Sequence, residues 1–291
     1  MFARKPRPVP APGKSNGGNT VPIYNLGPPP RGWGRPANRV AWGLIGVPPA
    51  LTASDKVVAI VTRRRPSMKT SRTIRAASSD RQRSEQVRLL GDALRDGGLV
   101  VLPTETVYGV AASAVDPRAR LRLDRLVEAA GGEIASSHAS RHTLHAPDAD
   151  RLVQDLDITH PIHRRLFRRL APGPVRFAVE KQAQDLIACL DRLGVGEGII
   201  DEGRFVYARV PNHELCREVL RAAEVPVVIR RLSVFGWGSG RDIGAVSDDE
   251  VAEQSGLAWV LDDGVTSLGG HSTTVQLRLA GGFAVEPGGA L

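Results

Sequence analysis

Cysteine is scarce: only Cys189 and Cys216 occur in 291 residues. Two thiols, both in segments that read as helical, build neither a disulfide framework nor a zinc site. They read as small buried apolar side chains, which suits a reducing cytoplasm. Long hydrophobic runs are missing too. No stretch reaches the roughly 18 apolar residues that a membrane-spanning helix needs; residues 40–51 come nearest and are broken by Pro48 and Pro49. Acids are almost absent from the first 80 residues, which hold 14 of the 39 lysines and arginines against Asp55 and Asp80 alone among 31 acids. The remaining 25 basic and 29 acidic residues fall in 81–291, so the net charge of +8 belongs to the first segment.

That first segment does not read as a folded unit. Residues 1–67 carry 12 of the 21 prolines, with Gly17-Gly18 and Pro28-Pro29-Pro30. Such a composition buries too little apolar surface to offset chain entropy, so 1–67 is expected to be a disordered Pro/Gly/Arg-rich leader. Prolines and glycines follow the basic start where a secretory signal needs an apolar run, and they oppose the amphipathic helix of an organelle transit peptide. A basic tail attracts nucleic acid or anionic surfaces without sequence preference; a merely solubilising tail is the other reading. Met1 and Met68 are the only methionines, and ordered-looking sequence begins just after Met68. This suggests translation from Met68, which a native peptide from residues 1–60, found by mass spectrometry, would overturn.

From Met68 the pattern is that of an α/β protein, 42% of the whole chain being hydrophobic. Residues 83–96 place Val87, Leu90 and Leu94 at helical spacing before Gly97-Gly98. Leu99-Val100-Val101-Leu102, bounded by Pro103, reads as a buried strand. Asp116-Pro117 is an N-cap with proline at the first helical position, and that helix should stop at Gly131-Gly132. Residues 161–170 form a short helix with Arg164, Arg165, Arg168 and Arg169. Strands are expected through Val175–Val179, Val206–Val210, Pro226–Ile229, 257–261, 273–279 and 283–285, with a helix through Leu215, Val219 and Ala222. Ser247 and Glu250 fit a capping box for a helix to about Gln254.

The motif Pro103-Thr104-Glu105-Thr106-Val107-Tyr108-Gly109, a strand end after a Gly-Gly turn, resembles the opening signature of the YrdC family. Strand ends in α/β sheets present hydroxyls and amides to ligands, so Thr104 and Thr106 would bond a polar substrate and Tyr108 would supply a wall. Further landmarks follow in order. Ala171-Pro172-Gly173-Pro174 is similar to the family's Trp-Pro-Gly-Pro turn, and Tyr207-Ala208-Arg209-Val210-Pro211 to its Val-Arg-x-Pro strand end. Pro226-Val227-Val228 matches the start of its Pro-Leu-Ala-Ala-Pro-Ser-Ala-Asn strand. Asp262-Asp263-Gly264 and His271-Ser272-Thr273-Thr274-Val275 match its Asp-Gly-Gly and Ser-Thr-Val-Val elements. Glu286-Pro287-Gly288 sits where the family has Arg-Pro-Gly.

The resemblance spans nearly all of 68–291. It implies a twisted, mostly β-rich α/β sheet with flanking helices around a deep cavity. It implies an L-threonylcarbamoyladenylate synthase, a nucleotidyltransferase joining ATP, L-threonine and bicarbonate in the threonylcarbamoyladenosine modification of tRNA. ATP with Mg2+ would be required. Partners would be tRNA or double-stranded RNA, the location cytoplasmic, and no membrane is involved. The substrate- and nucleotide-binding residues would be Thr104, Thr106, Tyr108, Arg209, Ser272 and Thr273, with no protein nucleophile.

The departures concern cations. The family's Lys-Gly-Arg-Pro falls on Ala130-Gly131-Gly132-Glu133, its Ser-Ala-Asn on Arg231-Leu232-Ser233, its Ser-Gly on Phe235-Gly236, its final arginine on Glu286, and a threonine on Arg176. Transfer to phosphorus depends on positioning and on cations that stabilise developing charge. Two readings follow: a divergent synthase whose cations have moved to Arg176 and Arg231, or a catalytically degenerate binder of nucleotide or double-stranded RNA. Arg230 and Arg231 should face opposite ways on a strand, and Arg231 occupies the family serine's place. His138, His142 and His145, with Asp148 beyond, lie at three- and four-residue spacing, but their Ser- and Arg-rich surroundings read as loop, and no metal site is assigned. The basic helix 161–170 would either touch RNA phosphates or be a solvated face; no aromatics interleave its arginines.

Overall fold

The computed structural model describes residues 72–129, 142–247 and 256–290. The leader expected over 1–67, Ala130, Gly132, Glu133, His138 and the helix expected from Ser247 to Gln254 lie wholly or mostly outside these residues. Ser247 itself ends a short helix.

The chain runs β1 (Arg72–Arg75), α1 (Asp80–Arg95), β2 (Leu99–Leu102), β3 (Gly109–Ser113) and α2 (Pro117–Ala129). Then come β4 (Thr143–His145), α3 (Ala149–Asp155), α4 (Pro161–Leu170), β5 (Val175–Glu180) and α5 (Ala183–Leu193). β6 (Asp201–Glu202), β7 (Phe205–Arg209), α6 (Glu214–Ala223) and β8 (Val227–Arg231) follow. The chain closes with α7 (Gly244–Ser247), β9 (Leu257–Asp262), β10 (Thr273–Leu277) and β11 (Phe283–Glu286). The expected α/β class and most expected elements are present.

All the strands join one mixed sheet in the order β1-β9-β2-β3-β8-β4-β7-β5-β10-β11, with β6 pairing β7. Side-chain alternation divides its core in two. Val100, Leu102, Ala111, Val227 and Ile229 pack under α1 and α6. Their neighbours Val101, Val110, Ala112 and Val228 pack on the opposite face, with Leu123 of α2, Leu152 of α3, Phe167 of α4 and Leu190 of α5. Among the described residues α2, α3, α4 and α5 thus cover one face; α1 and α6 cover part of the other. The rest of that second face, over β4, β7, β5 and β10, is left for a cavity.

Residues 142–145 correct the expectation of a loop. Thr143–His145 is a buried strand, parallel to β7 and antiparallel to β8. Three residues are too few for alternation to show, and inward-facing polar side chains remove the apolar signal.

Gly109 starts β3 because nothing larger fits. A Cβ there would lie 2.5 Å from Ile229 Cγ2 and 2.8 Å from the Arg230 carbonyl oxygen. Gly109→Ala is expected to cost about 1–3 kcal/mol by overpacking, read as a lower urea midpoint at unchanged m-value.

Candidate functional site

The cavity, of about 400 Å³, is lined by residues that the sheet register aligns. His145 pairs with Arg209 across β4 and β7, and Arg209 with Arg176 across β7 and β5. Arg176 pairs with Thr274 on β10, and Thr274 with Glu286 on β11. Directly paired residues share a sheet face, so one row of five polar side chains crosses five strands. Gly109 pairs with Arg231 and Thr143 with Ile229, extending the wall toward α1. Thr104, Thr106, Tyr108, His271, Ser272 and the Glu286–Gly289 segment complete it.

Thr104, Arg209 and Ser272, far apart in sequence, therefore meet at one cavity. The threonine hydroxyls are partly committed to the local turn. Thr104 Oγ1 donates to the Val107 carbonyl at 2.6 Å, accepts from the Thr106 and Val107 amides, and lies 2.9 Å from Thr106 Oγ1. Tyr108 gives the expected wall, but its hydroxyl donates to the Gly264 carbonyl (2.7 Å) and accepts from the Asp263 amide (2.9 Å). Burial pushes its pKa up to about 12, so this tie holds as the neutral phenol. Thr273 does not line the cavity. Its Oγ1 accepts from the Gly288 amide at 3.0 Å, and Thr274 takes the wall position.

Arg209 is 6% exposed and meets the equally buried Glu105, Nη2 to Oε1 being 2.9 Å. The contact is a charge pairing rather than an aligned hydrogen bond: Arg209 Nε and Nη2 and both Glu105 carboxylate oxygens lack hydrogen-bond partners among the described residues. Sequence reasoning passed over Glu105, although an acid in a buried strand-end motif demands a cationic partner. Arg209 keeps donors for an anion in the cavity.

Arg176 donates from Nε and Nη2 to Thr274 Oγ1 and lies 5.1 Å over the Tyr207 ring. Burial lowers its pKa; Tyr207 and Glu286 oppose that shift, and nearby Arg231 adds to it. Two cations pressed together beside a desolvating wall favour an anion between them. Arg231 is exposed and borders the cavity. Arg230 also borders it, and Asp124 of α2 partly offsets the lowering of its pKa by burial. The two arginines continue the Val228/Ile229 alternation, yet against expectation both reach the cavity rim. Glu286 adds a carboxylate to the wall and accepts a hydrogen bond from Gln276 Nε2.

The family described as "Telomere recombination", Sua5/YciO/YrdC, matches residues 92–285. The chain belongs to the Sua5/YciO/YrdC family. Among relatives of this family, the threonylcarbamoyl-AMP synthase of Pyrococcus abyssi is 26% identical over 214 residues, 72% of this chain and 56% of that protein. The chain thus spans little more than half the length of that curated relative. The structure of P. abyssi Sua5 complexed with L-threonine superposes with a TM-score of 0.55 at 25% identity, covering 71% of this chain and 54% of that one. E. coli YciO shares the fold, with a TM-score of 0.52 at 17% identity, covering 72% of this chain and 91% of that one.

Within this Sua5/YciO/YrdC domain, His145 was not among the expected binding residues; it had been weighed only as a metal ligand. Its Nδ1 lies 2.8 Å from the Thr143 carbonyl. A carbonyl only accepts, so Nδ1 carries the hydrogen and the neutral ring keeps Nε2 as acceptor. Burial, aided by Arg209, lowers its pKa from 6.5 to about 3. The folded state therefore binds fewer protons than the unfolded chain between those values. His145's contribution to stability is whole above pH 6.5 and is lost as pH falls from 6.5 toward 3. Urea titrations at pH 7.5 and 5 are expected to show a larger fall for the wild type than for His145→Gln.

No group of three His, Cys, Asp or Glu side chains able to hold a metal occurs among the described residues. Among those residues no helix is long and apolar enough to cross a membrane.

Proposed function

We propose that residues 68–291 form a threonylcarbamoyl-AMP synthase domain that uses ATP, L-threonine and bicarbonate. The threonine amine takes up bicarbonate with loss of water. The carbamate oxygen then attacks the α-phosphorus of ATP, the bond to the β-phosphate bridging oxygen breaks, and pyrophosphate leaves. The product would serve the modification of an adenosine in cytoplasmic tRNA. One observation carries the reading. Arg176 and Arg231, at positions where the resemblance puts neutral threonine and serine, border the same cavity as Thr104, Ser272 and the incompletely bonded Arg209. Guanidinium forks bind phosphate oxygens in pairs, so the wall retains cations suited to a triphosphate.

The chain's own contribution is placement and charge. Arg176 and Arg231 hold phosphate oxygens, Arg209 meets a carboxylate or phosphate, and Ser272 and Thr274 border the cavity as hydroxyl partners. Mg2+ in this scheme would be held by the phosphates of ATP and would offset their charge.

Glu286 also supports a second reading, in which the domain binds nucleotide or double-stranded RNA without synthesis, because its charge opposes a polyphosphate. Pyrophosphate release by the full chain decides between them. Release that requires both threonine and bicarbonate supports synthesis; ATP binding without release supports the second reading; neither result sinks both. Under the first reading Glu286→Gln is expected to tighten ATP binding about three- to tenfold, in line with one like charge removed near a partly screened site, measured by calorimetric titration.

A further inference from the structure

Two apolar rows run off the end of the sheet on its helix-covered face. Direct pairing aligns Phe177, Val275 and Val285, and beside them Val179, Leu277 and Phe283. The first two members of each row are buried, whereas Val285 and Phe283, on β11, are 53% and 57% exposed. Among the described residues β11 ends the sheet and pairs β10 alone. Its backbone is open there as well. The Arg278 amide donates to the Gly282 carbonyl at 2.8 Å, one step beyond the Leu277–Phe283 pair. Antiparallel pairs alternate between bonded and non-bonded, so Ala284 and Glu286 bond β10, while Phe283 and Val285 turn their N–H and C=O groups outward. The residues that leave apolar side chains uncovered thus also present an open strand edge.

α4 runs beside this edge. A Cβ on Gly281 would lie 2.5 Å from His160 Nε2, and the His163 ring lies against the Gly282 backbone, so the first turn of α4 sits at the β10–β11 turn. Further along, Phe167 stacks on Phe177 with ring centroids 4.0 Å apart, level with Val285 in the register. Arg168 reaches Asp150 of α3 at 3.0 Å, and α3 leads from β4, on the other side of β5 from β11. At about 3.6 residues per turn, Arg164 shares the α3 flank, and Ile162, Arg165 and Arg169 share the flank toward β11. All three are exposed, and Arg165 and Arg169 make no ion pair among the described residues.

We infer that β11 is extended by a strand from an acidic segment of another protein. Its alternate side chains cover Phe283 and Val285, and its carboxylates meet Arg165 and Arg169. In strand addition the main-chain bonds supply affinity and the side chains of one face supply selection. Charge decides the class of occupant. The first 80 residues of this chain hold 14 basic residues against two acids, the wrong sign for an arginine flank. A second copy paired edge to edge about a twofold axis sets its own Arg165 and Arg169 against these. The inference goes beyond the synthase reading and does not rest on it, because Phe283 and Val285 face away from the cavity.

The test is fluorescence anisotropy of the full chain with a labelled, end-blocked octapeptide, Thr-Val-Thr-Val-Thr-Glu-Thr-Glu, and with its counterpart carrying lysine for both glutamates. The glutamate peptide is expected to bind about tenfold more tightly than the lysine peptide, and R165E/R169E to reverse that preference. V285P removes one outward N–H at an edge that tolerates proline, and is expected to weaken the glutamate peptide about fivefold. If V285P does not fold, R165E/R169E carries the test, since both side chains lie at the surface. Amide hydrogen exchange on the free chain is expected to be fast at Phe283 and Val285 and to slow when the glutamate peptide is added. No saturable binding, equal binding of the two peptides, or an unreversed preference in R165E/R169E overturns the inference. So does slow exchange in the free chain: if independent of protein concentration, a segment of this chain holds the edge; if it deepens with concentration, a second copy does.

Discussion

Arg209→Met is expected to lower the unfolding free energy by about 3–5 kcal/mol, because it leaves the Glu105 carboxylate buried without a countercharge. Both side chains are about 7% exposed, so water cannot take the place of the lost guanidinium. The double variant Glu105→Leu/Arg209→Met removes both charges and is expected to regain most of the loss, since an apolar pair of similar volume often matches a buried ion pair. Urea denaturation of the wild type, both single variants and the double variant closes the cycle. If the two single effects simply add, the pair is not coupled and the electrostatic account of the cavity floor is wrong. The measurement needs no ligand, so it stands whichever function the cavity has.

Arg176→Ala is expected to reduce kcat/KM for pyrophosphate release by about 100- to 1000-fold, the usual cost of removing one preorganised donor from a charge-stabilising site. The reasoning is geometric. Arg176 is bonded to Thr274, lies over Tyr207, and sits between Arg209 and Thr274 in the register. Its position is therefore fixed before any ligand arrives. Arg176→Lys keeps the charge and loses the planar fork, so it should fall between the two. An unchanged rate, with ATP affinity also unchanged, would remove Arg176 from the phosphate site and with it the idea of relocated cations.

Much of the fold was legible because its strands are of two readable kinds. Leu99–Leu102 is a continuous apolar run and is buried throughout. Val175–Glu180 alternates, Arg176 being the polar residue that reaches the cavity. Strands built from small or polar residues escaped notice. Gly109–Ser113 contains one β-branched residue, and Thr143–His145 owes its burial to partners distant in sequence. The site was legible to the same degree. The strand-end motif led to Thr104, Thr106 and Tyr108, but alternation did not separate Arg231 from Arg230, since both border the cavity. Alternation could not choose between Thr273 and Thr274, because both are polar and only the pairing with Val175 and Arg176 fixes which one faces the cavity. That the Thr104, Tyr108 and Thr273 hydroxyls serve the backbone is likewise invisible in the sequence.

The row from His145 to Glu286 has a consequence for how such a domain diverges. Its five members ride on five adjacent strands, about 4.8 Å from one to the next, so their spacing belongs to the backbone ladder and not to mobile connections. Exchanging one member for another of different charge rewrites the electrostatic message read by a visiting molecule while the frame carrying it stays still. A lineage can thus retune what this sheet attracts one position at a time, without first having to solve the fold again.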